Sequence, residues 1–291
     1  MKKLDRILGG LFGVACGDAL GGTLEFYSKK EGKEEYGYLK DIIGGGVWNL
    51  EPGEVTDDTM MTIAVAEGIL ENPDDPIKSI GKKFLNWYRS NPKDIGNTVK
   101  AAIEGYKIHG DWRRAAAYAH DQLAGQSAGN GTLMRCLPVA LYYDNFEKMI
   151  KITKEQSRLT HFDKKAERAC EIYNTIVYDY LRGKEKISTI ESVVKAYDEY
   201  EEILLTSKRE LNPSGYVVDS LICALWCFAN TSNPEDAICE AVNLYGDSDT
   251  IGAITGGLAG VYYGIEAIPQ RWREKILLKN LIYDLGEKLF I

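Results

Sequence analysis

The chain has 291 residues, 45% of them apolar and 27% charged, with a formal net charge of −8. That is enough apolar material for a sizeable core, and the charges are too well mixed for long disorder. The acidic balance argues against direct nucleic-acid binding, since phosphate affinity comes from clustered Lys and Arg; phosphates are acceptable here only with cations between.

The opening residues, Met1-Lys-Lys-Leu-Asp-Arg6, read as a helix start and not as a leader. The apolar run behind them is broken by glycines and by Asp18, which excludes a membrane span. Within it Gly9, Gly13, Gly17 and Gly21 recur every four residues, and a second row, Gly252, Gly256, Gly260 and Gly264, does the same near the other end. Glycine lowers helix stability by roughly 1 kcal/mol per position relative to Ala, so eight at helical spacing need a reason. Such a row opens a groove into which another backbone fits. The two rows are expected to pack centrally and antiparallel, bringing Glu25 beside Gly246-Asp-Ser-Asp-Thr250.

Between the rows, helical periodicity dominates. An apolar helix follows Thr56-Asp57-Asp58-Thr59 (Met60, Met61, Ile63, Ala64, Val65). Ile77, Ile80, Phe84 and Trp87 mark one amphipathic face, and Ala166, Ala169, Cys170, Tyr173, Ile176, Val177 and Tyr180 mark another. Val217–Phe228 is apolar nearly all round and should be a buried central helix. No stretch alternates with the two-residue period of a strand, no repeat appears, and no linker divides the chain. The expected architecture is all-α: one domain spanning residues 1–291 with central buried helices. The six cysteines form no C-x-x-C pair and read as reduced core thiols of a cytoplasmic protein.

Two acidic clusters stand out, Thr56-Asp57-Asp58-Thr59 and Asp247-Ser248-Asp249-Thr250, each at a loop-to-helix junction. Either cluster can be plain helix capping. Capping needs only one or two such side chains, however, and adjacent carboxylates repel unless they share a cation. If the clusters converge, their oxygens can enclose hard cations, Mg²⁺ or Mn²⁺ and not zinc, because no His or Cys is near. The number of acids suits two ions, about 3.5–4 Å apart. Ser127-Ala-Gly129-Asn130-Gly131-Thr132 reads either as an ordinary turn or as an anion cradle of bare backbone N–H groups at a helix start. It is not a Walker loop, because no Gly-Lys-Ser/Thr follows. Arg135 can pair with a phosphate or with a buried acid, and the buried pair is the expectation. Asp94-Ile-Gly-Asn97 is either a helix cap or a polar pair for a sugar hydroxyl or a guanidinium. His161 closes Ser157-Arg-Leu-Thr-His161, and a lone His is more often structural than catalytic. None of the three histidines has the neighbours of a nucleophilic triad.

Taken in order, Gly17-Asp-Ala-Leu-Gly21 with Glu25, Thr56-Asp-Asp-Thr59, Asp94-Ile-Gly-Asn-Thr98, Gly129-Asn-Gly131 through Met134-Arg135, Thr160-His161, Gly215-Tyr-Val-Val-Asp219 and Gly246-Asp-Ser-Asp-Thr-Ile-Gly252 resemble the ADP-ribosylglycohydrolase family. The resemblance spans most of the chain; residues 183–212 carry no motif. It implies an all-α fold around two metal ions, with Thr56, Asp57, Asp58, Asp247, Asp249 and Thr250 as ligands. It implies that Glu25 is a ligand or the acid/base, with Asp94 the competing general base, and that the Gly129–Met134 loop holds a diphosphate. Tyr216 would pack on the nucleotide, and His161 would touch its phosphate or ribose. Asn97, Ser127 and Thr132 complete the implied substrate contacts. Met60 and Tyr245 depart from the family's commoner residues. The implied reaction is hydrolysis of the bond between ADP-ribose and a protein side chain, foremost arginine, through an oxocarbenium-like transition state. The partner would be an ADP-ribosylated protein or ADP-ribosyl small molecule. The competing readings are a two-metal hydrolase of another nucleotide or phosphoester, and a non-catalytic ADP-ribose-binding or structural member.

Overall fold

The computed structural model describes residues 1–290, and among these the only regular elements are helices. In chain order they are α1 (Lys3–Gly21), α2 (Lys29–Tyr36), α3 (Asp57–Glu71), α4 (Ile77–Arg89), α5 (Asn97–His109), α6 (Trp112–Gln122), α7 (Leu137–Tyr142), α8 (Phe146–Ser157), α9 (Lys164–Leu181), α10 (Lys186–Val194), α11 (Val217–Ala229), α12 (Pro234–Val242), α13 (Ser248–Tyr263), α14 (Gln270–Lys275) and α15 (Lys279–Leu289). Extended pairing is limited to two isolated bridges, Gly45 with Leu50 and Gly129 with Tyr216. No helix among the described residues is long and apolar enough to cross a membrane.

The two glycine rows build the centre. α1 and α13 run antiparallel with their backbones in contact: a Cβ placed on Gly13 would collide with the Gly256 carbonyl oxygen, and one on Gly17 with that of Gly252. Gly9 meets Gly260 in the same way, and Gly21 meets the backbone of Ser248 and Asp249. Seven of the eight glycines are thus tolerated because each removes a side chain from a main-chain contact, while Gly264, at φ 83 just past α13, faces the Met1 side chain. The far end of the pair is sewn together by Ser248 Oγ donating to the Gly21 carbonyl (2.8 Å) and by the Phe26 N–H donating to the Gly246 carbonyl (2.8 Å). The expected antiparallel packing is borne out, and it delivers Glu25 to the start of α13.

Around this pair the amphipathic helices close the core. α4 buries Ile80, Phe84 and Trp87, α9 buries Ala169, Tyr173 and Ile176, and α11 buries Val217, Leu221, Leu225 and Phe228. Several helix starts are capped from the preceding residue: Asp111 caps α6, Asn145 α8, Asp163 α9 and Asn233 α12, each side chain accepting an N–H of the first turn. The two acid-rich junctions differ. Neither Thr56 at α3 nor Asp247 at α13 makes a side-chain capping bond. The residue preceding each of these two helices is therefore not used as a cap.

Candidate active site

α3 is capped from another helix instead. The buried Asp18 carboxylate, projecting from α1, accepts from the N–H groups of Thr56 (3.0 Å) and Thr59 (3.0 Å). The side chains of Thr56 and Asp58 turn toward the start of α13. Thr56 Oγ1 lies 3.3 Å from Asp58 Oδ2 and 3.5 Å from Asp249 Oδ2, and Thr250 Oγ1 lies 3.3 Å from Asp58 Oδ2. One carboxylate oxygen each from Glu25, Asp247 and Asp249 falls within 4.8 Å of the others. Asp57 faces the loop before α5, where its Oδ2 accepts the Gly96 N–H (3.1 Å), and Asp94 sits on that loop. The two clusters, nearly two hundred residues apart in the chain, share one locus.

Seven carboxyl groups crowd this locus: Asp18, Glu25, Asp57, Asp58, Asp94, Asp247 and Asp249. None takes part in an ion pair with Lys or Arg among the described residues. Burial raises the proton affinity of every one, and repulsion from Asp94, Asp18 and Glu25 adds to it at Asp57, Asp58 and Asp249 respectively. Asp18 is pushed up to about 6, and Glu25 and Asp94 to about 7. Oδ1 of Asp58 is enclosed and has no hydrogen-bond partner. An orphaned buried carboxylate oxygen surrounded by further carboxylates and two threonine hydroxyls suits a hard divalent cation. The all-oxygen donor set fits such an ion and not zinc.

The acids open onto a cavity of about 540 Å³. Glu25, Asp57, Asp94, Asn97, Gly129, Asn130, Gly131, His161, Asp247 and Thr250 all line it, as do Phe26 and Trp48. Asp58, Asp249 and Thr56 lie deeper, almost wholly buried. Tyr216 stands outside this lining as an exposed residue, bridged to Gly129 through the backbone and held by Lys165 Nζ on its hydroxyl (2.7 Å). Two expected contacts face elsewhere. Ser127 is fully buried with its hydroxyl 2.6 Å from His120 Nδ1, and Thr132 is fully buried with its hydroxyl 3.2 Å from Cys170 Sγ. The chain at Asn130–Thr132 is a single 3₁₀ turn and not the start of an α-helix. Its Asn130 N–H is taken by the Gly215 carbonyl (3.1 Å), which removes that one amide from the cradle. The Asn130 side chain bonds Asp247 Oδ2 (2.6 Å) and Ser220 Oγ (2.9 Å).

Arg135 corrects a further expectation. Its guanidinium is completely buried and has no carboxylate partner among the described residues. It donates to Gln156 Oε1 (3.1 Å), the Gln156 carbonyl (3.1 Å) and Thr160 Oγ1 (2.8 Å), and stacks 4.4 Å above the Phe84 ring. Neutral oxygens and a π face carry this charge, and burial lowers its proton affinity to about 10.

Two site residues escaped the sequence reading. Asp18 reads as an interruption in an apolar helix; a lone acid within that otherwise apolar, glycine-rich run is the signal for it. Trp48, on the loop of positive-φ glycines Gly44–Gly46, donates its indole N–H to Glu25 Oε2. Nothing in the local sequence marks that pair. Tyr245 stands at φ 68, a backbone region that favours glycine; the ring, buried against Gly32, compensates the strain.

A family model described as ADP-ribosylglycohydrolase matches residues 1–291. The ADP-ribosylarginine hydrolase Tri1 of Serratia proteamaculans is 32% identical, over 99% of this chain and 80% of the relative. The ADP-ribosyl-[dinitrogen reductase] glycohydrolase of Rhodospirillum rubrum is also 32% identical, over 94% of this chain and 91% of the relative. A solved structure titled ADP-ribosylglycohydrolase-related protein complex superposes with a TM-score of 0.85 and 33% identity, covering 99% of this chain and 98% of that one.

Proposed function

The chain belongs to the ADP-ribosylglycohydrolase family, and from that premise we propose that it removes ADP-ribose from arginine side chains of proteins with the help of bound divalent cations. The observation that carries the metal half is the meeting of seven carboxyls, five of them buried and two half-buried, without a basic partner among the described residues, around the unpartnered Asp58 Oδ1. The arginine half is supported by the names of two relatives, an ADP-ribosylarginine hydrolase and a dinitrogen reductase glycohydrolase.

Thr56, Asp57, Asp58, Asp247, Asp249 and Thr250 would hold two Mg²⁺ or Mn²⁺ ions, which supply positive charge to polarise sugar hydroxyls and offset the acids. The chain's own groups do the rest. Asp94 lines the same cavity as Glu25 and Asp247 and has a proton affinity near neutrality, which suits a general base. It takes the proton of the attacking water as the water oxygen bonds to the anomeric carbon. The carbon–nitrogen bond breaks, and a proton passes to the departing guanidine nitrogen. Glu25, steadied by the Trp48 indole N–H, belongs with the acids on the cation side. Asn97 at the start of α5 lines the same wall as Asp94 and serves the sugar hydroxyls. The Gly129–Gly131 turn and His161 hold the diphosphate, and Tyr216 flanks the nucleotide.

The test is a substrate panel on chelator-treated protein, with and without added Mg²⁺ or Mn²⁺: ADP-ribosyl-arginine, ADP-ribosyl-serine, poly(ADP-ribose) and nucleoside diphosphates. Metal-dependent release of ADP-ribose from the arginine conjugate is expected. Undiminished turnover after chelation, or hydrolysis confined to the diphosphates, overturns the proposal.

A further inference from the structure

His161 is 2% exposed, yet one of its ring nitrogens opens into the cavity. Nδ1 lies 2.8 Å from Thr160 Oγ1, and Nε2 has no protein partner among the described residues. The glycines of the turn leave that edge open: a Cβ on Gly129 would sit 3.4 Å from Nε2, and one on Gly131 3.5 Å from Cε1.

The protonation of the ring follows from its neighbours. Arg135 can only donate, so Thr160 Oγ1 accepts from its Nη2 (2.8 Å). The Thr160 hydroxyl is fully buried and has two partners, Arg135 and His161. If it also accepted from Nδ1, its own hydrogen would be left unpaired in the core, at a cost of about 1–3 kcal/mol. The arrangement without that cost has Thr160 donating to Nδ1, which places the single ring proton on Nε2. Double protonation is opposed by burial and by the nearby Arg135 charge, which both hold the imidazole well below its usual range.

We propose that Arg135 and Thr160 act as positioning residues that lock His161 in the neutral Nε2–H form, aimed through the Gly129–Gly131 gap as a hydrogen-bond donor to a phosphate oxygen of the substrate. The identity of the acceptor rests on the ADP-ribose reading above; the tautomer does not. The lock explains why an arginine is buried without an acid. A carboxylate beside Thr160 could compete for the hydroxyl hydrogen and release the ring, whereas a permanent donor forces the hydroxyl to point one way.

The test uses ¹⁵N-labelled full-length protein at neutral pH and needs no ligand at first. With three histidines in the chain, the His161 signals are identified by their loss in His161→Gln. A long-range ¹⁵N–¹H spectrum should show a protonated-type Nε2 and an unprotonated-type Nδ1. Thr160→Val should mix the tautomers and weaken ADP-ribose and ADP alike by about three- to tenfold in calorimetry with Mg²⁺. Thr160→Ser should restore both. A wild-type ring protonated at Nδ1 or at both nitrogens overturns the lock, whatever the variants do. So does a Thr160→Val spectrum identical to wild type. If the tautomer is as stated but ADP-ribose does not bind, or only ADP-ribose and not ADP weakens, the phosphate assignment falls while the tautomer stands.

Discussion

Asn130 Nδ2 lies 2.6 Å from Asp247 Oδ2, a charge-assisted hydrogen bond between the glycine turn and the acid cluster. The turn that flanks the proposed diphosphate position is thus mechanically tied to a proposed metal ligand. Asn130→Ala is expected to weaken Mn²⁺ and ADP-ribose together, each by roughly ten- to a hundredfold, in line with about 1.5–3 kcal/mol for a hydrogen bond to a charged group. Calorimetry with each ligand alone checks this; a loss confined to one of them contradicts the coupling.

Asp58 has one carboxylate oxygen without a partner and sits among like charges. Replacing it with a neutral amide should relieve that repulsion in metal-free protein. Asp58→Asn is expected to raise the Tm of chelator-treated protein by a few degrees, about 2–4 °C per kcal/mol for a chain of this order. It should also abolish turnover and the metal-induced rise in Tm. A metal-free Tm lower than wild type would show that the acid supports the fold.

The pH dependence has a definite sign. Glu25 and Asp94 rise from ordinary values of 4.5 and 3.8 to about 7 on folding. The folded state therefore binds more protons between about pH 4 and 7, and stability falls as pH rises through that window. Metal-free protein should lose Tm from pH 5 to pH 8. Divalent cations should restore more of it at pH 8 than at pH 5, since they bind the ionised acids. Thermal melts at the two pH values, with and without Mg²⁺, read both trends directly.

Gly13→Ala and Gly256→Ala each place a methyl group against a main-chain carbonyl oxygen that cannot rotate away. The loss should be about 3 kcal/mol or more, at the upper end of overpacking. Denaturant unfolding measures it. A loss under about 1 kcal/mol would mean that the helices separate easily.

The glycine rows and the doubled acids were legible in the sequence because each is a local pattern with a poor local explanation. From them come the all-α architecture, the antiparallel α1–α13 pair and the meeting of Glu25 with Asp247 and Asp249. What stayed hidden depends on partners far along the chain. Asp18 serves as cap to a helix 38 residues away, and Trp48 reaches back 23 residues to Glu25 from an irregular loop. Ser127 and Thr132 were placed in the site because they neighbour its glycines; the tight turn sends their side chains into the core instead. Arg135 was expected to find an acid, and nothing local reveals that Phe84, Gln156 and Thr160 would suffice.

The backbone-to-backbone seam between α1 and α13 has one more consequence. Most packed helices can slide slightly, because the side chains between them exchange rotamers. Along the glycine rows there are no such cushions, so the two helices behave as a single stiff beam with the acids mounted at one end. Substitutions in the surrounding core can then be absorbed by the outer helices without shifting Glu25 against Asp249. The rim of the cavity is free to diversify toward new targets while the spacing of the charged end stays put.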